Sequence, residues 1–286
     1  MTANACVELE IIVTAQLPMP EAYTFRPEGG NAVTRLAAVL RPGAPTVMSQ
    51  CLAFIVRHPS AGVILIDTGF HPDASTDPRR DFGLPMSLVF RGLRPTGEFT
   101  AQLADHEVAA GDVRQVVMTH LHVDHTSGMR LLPRAEFVCA REEWQAAHGR
   151  SAATKGYVAS HLPPPDRVRL LELSRDGEPF GPFRRALDLL GDGSVRLLFT
   201  PGHSRGHLSV LLQHAAGRRT LIIGDAVYTL RSLREERLPL LTEDDEQYRT
   251  SLRQIAAFAA AEPAVELVPT HDPDAWRAVG KASGDG

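Results

Sequence analysis

Three histidines and one aspartate fall within six consecutive residues, HLHVDH at 120–125, directly after an apolar run that predicts a buried strand. Successive side chains of an extended chain point to opposite sides, so His120, His122 and Asp124 face the same way. His125 points elsewhere unless the backbone turns, and the Thr-Ser-Gly that follows it supplies such a turn. One group can therefore hold one metal ion while the other reaches a second ion close by. Imidazole nitrogens and carboxylate oxygens suit zinc, and they also suit iron, manganese and cobalt.

Further residues able to bind metal stand where other predicted strands end. Apolar and β-branched runs predict strands at 7–13, 51–57, 62–66, 115–119, 136–140, 168–173, 195–200, 209–213, 220–223 and 265–268. Helices are predicted at 99–109, from residue 141 and at 243–261. The candidate metal ligands at the strand ends are Asp67, His120, His203, Asp225 and His271. These side chains would cluster if the strand ends shared one edge of a sheet sandwich.

The chain is long enough for one large domain, and we expect residues 1–286 to form a single domain because candidate ligands lie on both sides of Pro163–Pro165. The segment 71–100 is rich in proline, glycine and arginine, with isolated apolar residues between them. A loop of this length inside a domain is usually functional. It is expected to be a lid or a wall of the substrate site, with a plain surface connection as the alternative.

Composition narrows the range of partners. A net charge of −4 and a pI of about 6.3 leave no dominant basic surface for nucleic acid. No apolar run reaches the ~18 residues of a transmembrane helix, so no membrane partner is expected. The N-terminal residues do not resemble a signal peptide. The three cysteines, Cys6, Cys51 and Cys139, lie far apart without a CxxC spacing, which favours a reducing cytoplasm over a disulfide framework.

The order of these motifs resembles the metallo-β-lactamase superfamily over nearly the whole chain. The matching pieces are LIDTG at 65–69, HLHVDH at 120–125, TPGHSRGH at 200–207, GDA at 224–226 and PTHD at 269–272. The resemblance implies an α/β (α+β) fold, a four-layer αββα sandwich, with two divalent metal ions, zinc foremost, at one edge between the sheets.

Ligand roles also come from this resemblance. It implies that the first metal is bound by His120, His122 and His203, that the second is bound by Asp124, His125 and His271, and that Asp225 bridges both. The resemblance gives Asp67 the role of orienting the ligand segment rather than touching metal. His207 is expected to be structural.

The stretch DAVYT at 225–229 is similar to the N-acyl homoserine lactonases, in which a tyrosine at this spacing contacts the substrate carbonyl. The resemblance implies a lactonase that opens N-acyl homoserine lactones or similar small lactones and esters by attack of a metal-bridging hydroxide. Tyr228 would polarise the carbonyl and Asp124 would carry the proton to the leaving oxygen. An aspartate at 225, where some true β-lactamases carry cysteine, disfavours antibiotic hydrolysis. A homodimer is among the expectations.

Other functions on the same scaffold remain open from the sequence. They are an arylesterase, a phosphotriesterase, a glyoxalase-II-like thioesterase, a mononuclear-iron persulfide dioxygenase and a non-catalytic binding protein. Val123 and the arginine-rich 71–100 segment depart from the lactonases, which bears on the substrate and not on the metals.

Six histidines lack ligand spacing and are expected to face solvent, with His71 as a candidate for the substrate pocket. They are His58, His71, His106, His148, His161 and His214.

Overall fold

Two β-sheets carry most of the apolar residues. The computed structural model describes residues 5–29 and 31–282. Its strands are β1 (Glu8–Pro20), β2 (Thr46–His58), β3 (Gly62–Ile66), β4 (Arg94–Pro95), β5 (Gln115–Val117), β6 (Glu136–Ala140), β7 (Val168–Leu171), β8 (Glu178–Phe180), β9 (Phe183–Asp188), β10 (Val195–Phe199), β11 (Leu208–Gln213), β12 (Arg219–Gly224) and β13 (Glu266–Pro269). The first sheet has the order β4-β1-β2-β3-β5-β6-β7, and the second has the order β13-β12-β11-β10-β9-β8.

Strand β2 shows how the sequence builds the layers, because it is buried on both faces. Phe54 and Val56 belong to the core between the sheets, where they meet Val210 and Ile222 of the second sheet. Ile55, between them, points to the opposite face of the first sheet. A strand buried on both sides reads as a continuous apolar run rather than an alternating one.

Helices flank the strands of both sheets. They are α1 (Glu21–Thr24), α2 (Ala32–Leu40), α3 (Asp73–Thr76), α4 (Pro78–Val89), α5 (Phe99–Asp105), α6 (Val123–Thr126), α7 (Arg141–Ala147), α8 (Leu173–Asp176), α9 (Leu230–Arg234), α10 (Asp245–Ala261) and α11 (Ala275–Ala282). Phe99 and Leu103 of α5 pack on the first sheet, and Leu252 and Ile255 of α10 pack on the second. The four-layer αββα architecture predicted from the sequence is confirmed.

Both predicted hairpins are present, with β2 antiparallel to β3 and β11 antiparallel to β12. Strand β1 is longer than predicted and reaches Pro20, while β8 and β9 were not predicted. In the part of the chain with described coordinates, no helix combines the length and apolar content needed to span a membrane.

The prediction that 71–100 is an irregular loop is wrong in its secondary structure, because the segment contains α3, α4 and β4. Pro78 and Gly83 occupy positions where a helix accepts them. Pro78 lies in the first turn of α4, directly after the N-cap residue Asp77, whose side chain accepts a hydrogen bond from the backbone N–H of Arg80. Gly83 has φ of 73°, which interrupts the helix without steric cost.

The solvent-facing prediction is also wrong for three histidines, since His58, His161 and His214 are buried. Each ring has polar partners that satisfy it inside the protein. The ring of His214 lies 2.7 Å from the carbonyl oxygen of Val7 and 2.9 Å from the hydroxyl of Thr220. Such pairing across distant segments leaves no spacing pattern in the sequence.

Candidate metal centre

The strand ends meet at one edge of the sandwich. Strand β3 runs parallel to β5, so Asp67 and His120, just after these strands, lie side by side. In the second sheet β12 runs parallel to β13, which places Asp225 beside His271. His203 follows β10, which is antiparallel to the strand between it and β12 and therefore ends at the same edge.

The predicted ligands converge in two groups. One group is His120, His122 and His203, and the other is Asp124, His125, Asp225 and His271, with the ligand atoms of each group within 4.8 Å of one another. In the first group the Nε2 of His203 lies 2.9 Å from the Nδ1 of His122 and 3.2 Å from the Nε2 of His120. Three ring nitrogens therefore aim at one point.

Asp225 lies between the two groups. Its Oδ2 is 2.9 Å from the Nε2 of His271 and 3.5 Å from the Nε2 of His203. Its Oδ1 is 3.6 Å from the Nε2 of His125. Asp124 closes the second group, with its Oδ2 at 3.5 Å from the Nε2 of His271. One carboxylate thus reaches both groups.

Two atoms of the second group test whether these residues fit a metal. The Nε2 of His125 and the Oδ1 of Asp225 are buried and have no hydrogen-bond partner within the described residues. Buried polar atoms are rarely left without a partner, because the loss of solvation costs about 1–3 kcal/mol. A cation between these two atoms gives both of them a partner. The His and Asp side chains are therefore able to bind divalent metal ions.

Electrostatics differ between the two groups. Burial and the neighbouring histidines hold the pKa values of His120 and His203 well below the usual range, which keeps these rings neutral, as metal ligands require. Burial opposes charge on His125, but Asp67, Asp124 and Asp225 raise its pKa well above the usual value. These three carboxylates favour a positive charge near the His125 ring, and either a bound cation or a proton on the ring can provide that charge.

Asp67 holds the loop in place, in keeping with the role that the resemblance gave it. Its Oδ2 lies 2.8 Å from the Nδ1 of His125 and accepts a hydrogen bond of 2.7 Å from the hydroxyl of Thr119, while Oδ1 accepts one from the Thr119 N–H. The ring of His125 donates through Nδ1 to this carboxylate and so directs Nε2 toward Asp225. Gly128 permits the turn, because a Cβ there would lie 2.6 Å from the carbonyl oxygen of Gly69.

His207 lies outside both groups, as expected of a structural residue. Its Nε2 accepts a hydrogen bond of 2.9 Å from the backbone N–H of Asp225, and its Nδ1 lies 3.0 Å from the hydroxyl of Thr200. Burial lowers the pKa of His207 to about 3, so the ring is neutral and can accept this bond. It fixes the backbone of the residue between the two groups.

Tyr228 is buried beside the second sheet's ligands. Its ring centroid lies 5.0 Å from that of His271 and 5.5 Å from that of His203. The ring also belongs to an apolar cluster with Leu17 and Met19, against which Tyr23, Phe90 and Leu93 pack. Tyr228 therefore adjoins both the candidate ligands and an apolar cluster.

Two residues near the site were missed from the sequence. Glu143 is fully buried and accepts hydrogen bonds from both ligand loops. Tyr23 lies next to Tyr228, with ring centroids 6.4 Å apart, and burial together with the charges of Asp124 and Asp225 raises its pKa to about 12. Neither has ligand spacing; the one signal for Glu143 was its place in the first turn after a buried strand.

Known proteins resemble this chain in sequence and in fold. Among curated relatives, the N-acyl homoserine lactonase AttM of Azorhizobium caulinodans is 32% identical over 235 residues, which cover 81% of this chain and 85% of that protein. A solved N-acyl homoserine lactone hydrolase, with N-hexanoyl-L-homoserine bound at its catalytic metal center, superposes with a TM-score of 0.68 at 20% identity and covers 97% of each chain. AidC, a dizinc quorum-quenching lactonase, gives a TM-score of 0.64 at 14% identity, covering 95% of this chain and 89% of that one.

The sequence model of the metallo-beta-lactamase superfamily matches residues 47–271, which include every candidate ligand. This match and the identity to the curated relative both span most of the chain. The chain therefore belongs to the metallo-beta-lactamase superfamily.

Proposed function

We propose that this protein is a dinuclear metal-dependent hydrolase that opens the ring of N-acyl homoserine lactones. The observation that carries the proposal is the position of Asp225, whose carboxylate reaches both groups of candidate ligands. The identity to a curated homoserine lactonase supports the substrate class. When bound, two divalent cations would lower the pKa of a water molecule and polarise the ester carbonyl.

The protein's own residues supply the proton steps. Asp124 is partly exposed, with a side chain 10% accessible, and is the candidate ligand best placed to exchange a proton with the leaving oxygen of the ring. Burial, Tyr23 and Asp225 raise the pKa of Tyr228 well above its usual value, so this phenol keeps its proton at neutral pH. It can donate a hydrogen bond to the oxygen on which negative charge develops.

Zinc suits the two groups best, because five of the seven candidate ligands are imidazoles and the ligand atoms of each group lie within 4.8 Å of one another. The likeness to the dizinc lactonase supports this choice. The first ion would be held by His120, His122 and His203 and the second by Asp124, His125 and His271.

The 71–100 segment is proposed as a wall of the substrate site rather than a detached surface connection. Phe90 and Leu93 from this segment pack in the same cluster as Tyr228 and Met19. An acyl chain bound near the metals would meet this apolar cluster. The single domain over 1–286, the cytoplasmic location and the homodimer remain predictions from the sequence.

The test is a substrate panel together with elemental analysis. Homoserine lactones of several acyl lengths are assayed beside an aryl ester, paraoxon and S-lactoylglutathione, with zinc, iron, manganese and cobalt measured in the same preparation. We expect lactone turnover and two ions per chain. Inert lactones alongside turnover of another class would overturn the lactonase proposal, and one iron per chain would favour a persulfide dioxygenase.

Tyr228→Phe tests the role of the phenol. We expect kcat to fall by about 10²–10³-fold, as when one hydrogen-bond donor to a developing oxyanion is removed, with both ions retained. The comparison variant is Tyr248→Phe, which makes the same change at a buried position of α10 outside both ligand groups. Full activity in Tyr228→Phe would return this residue to a packing role.

A further inference from the structure

The side chain of Glu143 links the two loops that carry the first group of ligands. Its Oε1 accepts hydrogen bonds from the backbone N–H of Leu121, at 2.9 Å, and from the hydroxyl of Tyr157, at 3.1 Å. Its Oε2 accepts from the hydroxyl of Ser204, at 2.6 Å, and from the backbone N–H of Gly206, at 2.9 Å. The four donors are all neutral, so the negative charge has no cationic partner among them.

The partners of Glu143 are neighbours of the candidate ligands in the chain. Leu121 stands between His120 and His122, and Ser204 follows His203. The contact with the second loop is close, because a Cβ on Gly206 would lie 2.3 Å from the backbone nitrogen of Glu143. The carboxylate therefore sets the distance between the two loops from which the three ring nitrogens converge.

Charge adds to this geometry. The first group consists of three imidazoles, while the second contains Asp124 and Asp225. Through its bonds to Leu121 and Ser204, the carboxylate of Glu143 lies beside the first group. A buried carboxylate close to this group would stabilise a cation bound there.

We propose that Glu143 is the positioning residue of the first metal site, as Asp67 is of the second. Each is a fully buried carboxylate outside the ligand set, and each uses its oxygens to fix a ligand loop. Glu143 therefore acts on the first site. Asp67 acts on the second through His125, and it also bonds Thr119, whose hydroxyl lies 3.1 Å from the Nδ1 of His120. This inference rests on the proposed binding of two metal ions.

The test measures zinc affinity rather than turnover. Zinc-loaded protein is titrated with a chelator of known affinity, which gives the Kd of each ion. In Glu143→Gln one backbone N–H, of Leu121 or of Gly206, must face the amide NH₂, and the charge is lost. We expect the Kd of one ion to rise by about 10–100-fold, the usual effect of removing a group that orients a ligand. The matched control Glu136→Gln makes the same change at an exposed position and should leave both Kd values unchanged.

A second background identifies which ion is affected. His122→Ala removes a ligand of the first group, and additional replacement of Glu143 should then leave the Kd of the remaining ion unchanged. Asp67→Asn in the same background should raise that Kd, because Asp67 holds His125. A fall in the affinity of both ions in Glu143→Gln, or an effect that persists beside His122→Ala, would overturn the proposal.

Milder variants cover the case in which Glu143→Gln does not fold. Tyr157→Phe and Ser204→Ala each remove one donor and keep the carboxylate. Each should raise the Kd of the same single ion, by less than Glu143→Gln does. Unchanged Kd values in both variants would refute the positioning role. A wild-type protein that binds no zinc at all would instead refute the proposed function.

Discussion

Replacement of Asp81 by alanine would separate α4 from the loop that carries the metal ligands. The carboxylate of Asp81 is fully buried, and its Oδ2 accepts a hydrogen bond of 2.7 Å from the hydroxyl of Ser127. It also forms an ion pair with Arg130 and lies 3.4 Å from the Nε2 of His161. These partners follow or contact α6, so Asp81 fixes the 71–100 segment against the site.

The loss of folding free energy in Asp81→Ala depends on how well Arg130 can be solvated once its partner is removed. Removing one partner of a buried ion pair costs about 3–5 kcal/mol, because the other charge stays without compensation. The side chain of Arg130 is 29% exposed and can turn toward water, which puts the expected loss near the lower end, about 3 kcal/mol. The matched control is Asp77→Ala, which removes the N-cap of the same helix and should cost about 1 kcal/mol.

The pH dependence has a definite sign. Burial raises the pKa of Asp81, but hydrogen bonds from His161 and Ser127 and the charge of Arg130 more than offset this and lower it overall. A carboxylate with a folded pKa below its unfolded value of about 3.9 contributes stability above that value. That contribution is lost as the pH falls through the folded pKa.

Urea unfolding of the wild type, Asp81→Ala and Asp77→Ala, each freed of metal with a chelator and repeated from pH 8 to pH 3, measures these differences. We expect the gap between wild type and Asp81→Ala to stay constant down to about pH 4 and to shrink below it. A gap no larger than that of Asp77→Ala, or one that already shrinks between pH 7 and pH 5, would refute the reasoning.

Three further predictions concern the site. Asp225→Ala should abolish the binding of both ions, because this carboxylate reaches both groups of candidate ligands. The zinc content of the variant measures this, and two retained ions would contradict a bridging role for Asp225. Gly202→Ala should destabilise the fold by at least about 1–3 kcal/mol in thermal unfolding, since φ is +129° and the added Cβ would lie 2.1 Å from the backbone nitrogen of Tyr248. Chelation should abolish lactone turnover and lower Tm, with zinc restoring both, whereas turnover that survives chelation would exclude a metal-dependent reaction.

The candidate ligands could be predicted because their signal is local and repeated. A buried strand followed by closely spaced histidines fixes where His120 and His122 lie, and the ends of parallel strands bring Asp225 and His271 to the same edge. The same apolar runs predicted most of the strands, while the arrangement in two sheets was implied by the family resemblance. Candidate ligands that directly follow a strand can therefore be predicted from the strand pattern together with the order of the motifs.

The residues that support the ligands could not be predicted in this way. Glu143 and Asp81 act through hydrogen bonds from backbone and hydroxyl groups that are distant in the sequence. In the sequence, a single carboxylate that becomes buried cannot be distinguished from one that stays exposed. The sequence predicts a loop at 71–100 because proline and glycine usually break helices, whereas in the structure Pro78 begins a helix and Gly83 interrupts it. Only the tertiary contacts decide whether such a carboxylate is buried and whether such a segment forms a helix or a loop.

Each group of candidate ligands contains residues that follow strands of both sheets, so metal binding would affect the stability of the whole sandwich. The first group takes His120 and His122 from the first sheet and His203 from the second, and the second group is divided in the same way. Each ion would thus join the two sheets at their edge, and the sheets could not separate there without releasing it. An ion present at about 100 times its Kd stabilises the folded state by about 2.7 kcal/mol, which is close to the loss of about 3 kcal/mol expected for Asp81→Ala. On this proposal the buried carboxylates beside each group would serve stability as well as chemistry, because they hold the loops of both sheets in the positions that bind the ions.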